Sequence, residues 1–165
     1  MDILLTLLLM AVLLVLKGFF SGSEIAMVNA DKVKLSALAG KGDRGSRMVL
    51  DEFRSPETLL GTTLVGTNIA TIALATIGTL MMIRLVGDSG EWVAFLFFTP
   101  LFLILGEIVP KSVYQHLSTE IAPRAIYPLR IFRLLFYPVV IVFSRIARFA
   151  ARIFGGGRVE QNVFM

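Results

Sequence analysis

From Ile3 to Leu16 nearly every position is apolar, with Asp2 ahead of the run and Lys17 behind it. Such a run has no polar face to turn toward water, so it reads as a bilayer span rather than a surface helix. No basic segment leads it and no A-x-A-like site follows, which argues for a retained helix over a cleaved signal peptide. The span is predicted from about residue 2 to about residue 29. Its far end is polar in an unexpected way: "FFSGSE" places Ser21, Ser23 and Glu24 where hydrocarbon is expected.

The pattern then changes. Residues 31–54 carry Lys32, Lys34, Lys41, Arg44, Arg47 and Arg54 around a loop-like "GKGDRG". Leu35 and Leu38, then Met48, Val49 and Phe53, recur at helical spacing and predict two short amphipathic helices on the membrane surface. "SPET" opens a new helix with Ser55 as N-cap, Pro56 in the first turn and Glu57 at the positive dipole end. A second span follows over about 58–83. Gly66, Ala70 and Ala73 there form a small-residue face that admits a close neighbour. A "GDSG" turn at Gly87–Gly90 leads to a third span over about 91–113.

Beyond it, the apolar run between Arg133 and Arg145 is short and contains Pro138. Arg145, Arg148 and Arg152 share a helix face, so the region about 117–154 reads as juxtamembrane amphipathic helix, with a tilted fourth span as the alternative. "GGG" at 155–157 ends it, and 155–165 reads as the start of a linker. The expected fold class is an all-α membrane protein, with a transmembrane domain over 1–154. The basic connection at 31–54 and the acidic turn at 84–91 put the N-terminus outside and the C-terminus in the cytoplasm.

Composition sharpens this. The chain is 56% hydrophobic, with a mean hydropathy of +0.79, well above the usual soluble range. Cysteine is absent and His116 is the lone histidine, which excludes thiolate sites and a multi-histidine metal centre. The net charge of +4 comes from residues flanking apolar runs, which fits lipid headgroups better than nucleic acid. The intramembrane acids have no nucleophile–base set beside them, so an enzyme is not expected.

An ionisable residue inside a span costs about 2.5–3.5 kcal/mol on insertion scales and points to function. Helical rise puts Ser21 about 28 Å along the first helix, Asn68 about 15 Å along the second and Glu107 about 24 Å along the third. With alternating helix directions the three reach one level. In "GEIVPK", Pro110 has no N–H, so the Gly106 carbonyl loses its helical partner beside the Glu107 carboxylate. Ser21 and Glu24 share a face, whereas Ser23 joins them only if the turn at Gly22 distorts. "GTN" adds the Asn68 amide and backbone at Gly66. Hydroxyl, amide, carbonyl and carboxylate oxygens suit a hard cation, Mg²⁺ first, with Mn²⁺, Ca²⁺ or Na⁺ behind it. Taken singly, each serine or threonine is explained as readily by hydrogen bonding within the bundle. Glu24 has three readings: ligand, proton carrier, or partner of Lys17. Lys17 and Lys111 read as side chains snorkelling to the interface, and Trp92 as part of the aromatic belt.

"FFSGSE", "GTNIA" and "GEIVPK", in this order on successive spans, resemble the membrane domain of the CorC and cyclin M (CNNM) proteins, a magnesium-transport family. The resemblance covers roughly residues 4–154. It implies a homodimer of three-span subunits with a belt of juxtamembrane helices. It also implies a dehydrated Mg²⁺ held by Ser21, Ser23, the Gly66 backbone, Asn68, and Glu107 with the Gly106 carbonyl, Glu24 being less certain. Family members continue into a cytoplasmic CBS-pair module that binds ATP, which residues 155–165 do not encode. Lys17 departs from the family pattern, where a small or neutral polar residue is common. The expectation is Mg²⁺ transport by alternating access, export before uptake, with Na⁺ as a candidate coupling ion. The rival is a membrane Mg²⁺ sensor or scaffold that regulates another transporter.

Overall fold

The computed structural model describes residues 2–54 and 56–154. The expected Ser55 cap and the 155–165 linker lie outside the described residues, as do the side chains of Glu57, Arg148 and Arg152. Among the described residues the chain is helical throughout, without strands.

Helix α1 (Ile3–Asn29) is one unbroken rod. Two short helices follow, α2 (Lys32–Gly40) and α3 (Arg44–Glu52). An aspartate begins each: Asp31 accepts from the N–H groups of Val33 (2.9 Å) and Lys34 (3.2 Å), and Asp43 from Ser46 N–H (2.8 Å). These carboxylates satisfy amides that the first turn leaves open.

Helix α4 (Pro56–Val86) and helix α5 (Gly90–Leu103) form an antiparallel hairpin around a 3₁₀ turn at Gly87–Ser89. Gly87 has φ 79°, a backbone conformation that favours glycine. A side chain at Gly90 would meet the Ile83 backbone at 2.5 Å, so the hairpin closes only with hydrogen there. A π-helical turn (Ile104–Ile108) and α6 (Val109–His116) complete this apolar arm. Helix α7 (Ser118–Phe154) is the longest. The expected spans at 2–29, 58–83 and 91–113 thus correspond to α1, α4 and the α5–π–α6 arm.

Length and hydropathy alone would also let Ser118–Val142 cross a membrane. Its packing runs differently. Ser118 Oγ donates to the Asn29 carbonyl (3.1 Å), the Phe132 ring lies 4.8 Å from that of Phe20, and Val140 faces Gly61. From Ser118 to Phe132 the axis runs about 21 Å, while the matching contacts on α1, from Asn29 to Phe20, cover only about 14 Å. Helix α7 therefore lies obliquely across the Asn29 end of the bundle. Ala122, Ile126 and Leu129 bury there against Met27, Leu35 and Leu59. An ion pair secures it: Arg133 Nη1 donates to both Glu52 carboxylate oxygens at 2.7 and 2.8 Å, with Arg130 at 3.4 Å. The Glu52 side chain is only 5% exposed, so the arginines supply the counter-charge that burial requires.

Candidate cation site

The π-helical turn is built where "GEIVPK" was singled out. Val109 N–H donates to the Ile104 carbonyl, five residues back, and Pro110 brings no N–H of its own. The register shift widens the helix by one residue, a distortion that recurs at functional sites. The sequence pointed to a freed carbonyl at Gly106; the structure spreads the disruption over the whole Ile104–Ile108 turn. Gly106 and Pro110 were the visible signal, but a π-turn has no further signature of its own.

Against this turn packs α1. A side chain at Gly18 would meet Pro110 Cγ at 3.0 Å, and one at Gly22 would meet the Tyr114 ring at 2.7 Å. The two glycines, four residues apart, form the notch that lets α6 approach. A side chain at Gly106 would strike Lys17 Cδ at 2.8 Å, so the glycine on one helix makes room for the lysine stem of the other.

Lys17 corrects the expectation of a snorkelling side chain. It is 4% exposed, and its Nζ donates to the Phe102 carbonyl at 3.3 Å. Its carboxylate partner is Glu107, at 3.9 Å, not Glu24. Lys111, also expected at the interface, pairs with Glu107 at 3.2 Å. One carboxylate thus lies between two ammonium groups.

Ser21 and Ser23 are both fully buried, and neither hydroxyl has a hydrogen-bond partner among the described residues. The distortion at Gly22 that both serines would need to share one ion is not present, since α1 runs regularly through it. The serines consequently point about 200° apart. Ser21 lies on the stripe of Lys17 and Gly18, one turn beyond the point where Lys17 meets the π-turn. Ser23 lies nearer the side of Phe20, which meets α4 and α7. Glu24 is half-buried on the Lys17–Ser21 stripe. Burying a hydroxyl without a partner is costly, so such groups ordinarily meet water or an ion.

On α4, Gly66 receives the Phe20 ring, 2.7 Å from where a side chain would begin. That contact puts "GTN" level with "FFSGSE". Asn68 is exposed, turned about 200° from the Gly66 contact, so it is not brought together with Glu107 in this chain. Three of the seven threonines of α4 bond back to their own helix as expected: Thr62 to Thr58, Thr63 to Leu60 and Thr71 to Thr67. Thr67 stands apart, and nothing in the sequence singled it out. Its hydroxyl is buried and unpartnered among the described residues. His116, exposed, bonds the Ser112 carbonyl through Nδ1 at 2.8 Å. Exposed Trp92 lies beside the hairpin turn.

Among the described residues no three His, Asp or Glu side chains gather as a metal cluster. Around Lys17 the arrangement offers the Glu107 carboxylate and the Phe102 carbonyl, with the Ser21 hydroxyl one turn away; the Thr67 hydroxyl is buried separately on α4. Neutral oxygens with one carboxylate are the ligands of a hard cation, not of zinc or copper.

Buried hydroxyls and a buried lysine–glutamate pair inside long apolar helices mark a membrane domain rather than a water-soluble bundle. A family model, the cyclin M transmembrane N-terminal domain, matches residues 8–165, and the chain belongs to that family. Relatives include the UPF0053 inner membrane protein YfjD of Escherichia coli, 29% identical over 85% of this chain and 33% of that protein. A UPF0053 protein of Haemophilus influenzae is 29% identical over 89% and 35%. A chloroplastic DUF21 domain-containing protein of Arabidopsis thaliana is 34% identical over 94% and 24%. The chain spans about a third of the length of the two bacterial relatives. The family and the helical arms make this a multi-pass membrane protein, consistent with metal transport or a related role.

Proposed function

We propose that this domain carries Mg²⁺ across the membrane, using Glu107, the carbonyl oxygens of its π-turn including Gly106, and Ser21 as the first cation-binding surface. The observation that carries the reading is the buried, unpartnered Ser21 hydroxyl one helical turn beyond Lys17, the residue that meets Glu107 and its π-turn. Gly66, Ser23 and Asn68 complete the site when the helices rearrange, because α1 must distort and α4 must turn before those groups can share one ion with Glu107. Glu24, at the cytoplasmic side of Ser21, is a second anionic stop on the same stripe. The orientation is N-terminus outside, with the arginine- and lysine-rich Asn29 end in the cytoplasm.

Export is the favoured direction. Moving a divalent ion out against an inside-negative potential costs about 4.6 kcal/mol per 100 mV, so a coupling ion such as Na⁺ is required. A homodimer fits the exposed α4 stripe of Leu64, Asn68 and Ile72, since a lipid-facing asparagine is costly unless a partner or water covers it. In the full-length protein a cytoplasmic CBS-pair module would act through α7.

Reconstituted liposomes give the test. Saturable Mg²⁺ flux lost in Glu107→Ala supports transport, whereas Mg²⁺ binding with no flux in the wild type replaces it with a sensor role. Titration of Asn68→Ala asks separately whether α4 contributes: affinity equal to wild type removes Asn68 from the site.

A further inference from the structure

Lys17 has no place in a simple oxygen site, and its surroundings show that it is no stray surface charge. The ammonium lies within a span, bonded to the Phe102 carbonyl at 3.3 Å and 3.9 Å from Glu107. Its stem fills the space that Gly106 leaves open, with Cδ 2.8 Å and Cε 3.4 Å from where a glycine substituent would begin. Lys111 already neutralises Glu107 at 3.2 Å, so a second ammonium is not needed for charge balance. The Lys17 side chain is 5% exposed while that of Glu107 is 35% exposed. The lysine therefore reaches the carboxylate from the buried side and Lys111 from the open side. A carbonyl and a carboxylate oxygen around a compact positive charge are what a small metal ion would also take.

We propose that the Lys17 ammonium is a tethered surrogate cation: it holds the Phe102 carbonyl and faces the Glu107 carboxylate when no metal is bound, and a divalent ion enters only by displacing it. Lys17 thereby sets the affinity of the site and the charge it discriminates. The inference rests on the Mg²⁺-site reading above, and goes beyond it by assigning the specificity to a residue that is not a ligand. A fixed positive charge a few ångströms from a divalent ion opposes its binding directly. Removing that charge while keeping the stem should tighten binding.

The test is Mg²⁺ titration calorimetry on the full chain in lipid nanodiscs, for wild type, Lys17→Met and Lys17→Gln, each with and without Glu107→Gln. The two neutral variants differ in polarity, so a packing fault in one does not decide the result, and monodispersity by size exclusion checks each. The expected result is at least tenfold tighter Mg²⁺ binding in both neutral variants, about 1.4 kcal/mol, with the gain lost when Glu107→Gln is added. Wild-type or weaker affinity in both, while Glu107→Gln still abolishes wild-type binding, overturns the surrogate-cation role and leaves the site standing. Mg²⁺ binding indifferent to Glu107→Gln in every background overturns the site itself.

Discussion

The two ends of the bundle are packed by different rules. Toward the hairpin turn, Met10, Leu74, Met81, Ala94, Phe98 and Phe102 form an apolar cluster, with Phe98 and Phe102 stacked at 5.1 Å. Toward Asn29, the same α1 meets its neighbours through Gly18, Gly22 and Gly66, beside the unpartnered hydroxyls of Ser21, Ser23 and Thr67. Apolar packing gains from being tight and has one best arrangement. A seam of glycine notches and unsatisfied hydroxyls instead gives up stability, because each buried hydroxyl without a partner costs its hydration. Phe102 stands at the border, its ring in the apolar cluster and its carbonyl on Lys17. The difference teaches that the polar seam is a local layer, set between this apolar cluster and a second one in which Phe20, Met27, Leu35, Leu59 and Ile126 pack at the Asn29 end.

Four substitutions would break or sharpen that contrast. Leu74→Ala should have the largest effect: Leu74 is fully buried, and the cavity should cost about 2–5 kcal/mol. Thermal unfolding in detergent would register it, while Mg²⁺ affinity of the folded fraction stays at the wild-type value. A fall in affinity as large as that in stability would show that the ends are not separate. Next comes a matched pair of glycines. Gly22→Ala meets the Tyr114 ring at 2.7 Å and Gly78→Ala meets the Phe98 ring at 2.8 Å, so each should cost about 1–3 kcal/mol by overpacking. Only Gly22→Ala should also weaken Mg²⁺ binding, because it pushes α6 and the π-turn from α1. Equal binding in the two variants would remove the distinction. The smallest effect is expected from Asp43→Ala, which deletes the cap of α3 and should cost about 1 kcal/mol. Denaturant titration would show the loss, with no change in Mg²⁺ affinity.

Much of the helical order was legible because bilayer spans announce themselves: an uninterrupted apolar run such as Ile3–Leu16 has few alternatives. The level shared by "FFSGSE", "GTN" and "GEIVPK" was also legible, since helical rise converts residue count into depth. Facing was harder to read. Asn68 was expected to join Glu107, yet the Gly66–Phe20 contact fixes the rotation of α4 and turns Asn68 outward. Thr67, one position earlier, holds the unpartnered hydroxyl instead. A rotation of one residue, about 100°, leaves depth almost unchanged and exchanges one candidate ligand for another.

The amino-acid sequence alone determined that this is a helical membrane domain, where its polar groups lie in depth, and that they offer oxygen rather than sulfur or imidazole. These follow from hydropathy, rise per residue and residue chemistry, which are local properties. Only the tertiary structure decided that Pro110 and Gly106 resolve into a π-turn, that α7 lies obliquely across the Asn29 end, and that Lys17 turns inward to Phe102 and Glu107. Each depends on which faces meet, and the rotation of one helix against another is set by contacts between residues far apart in the chain.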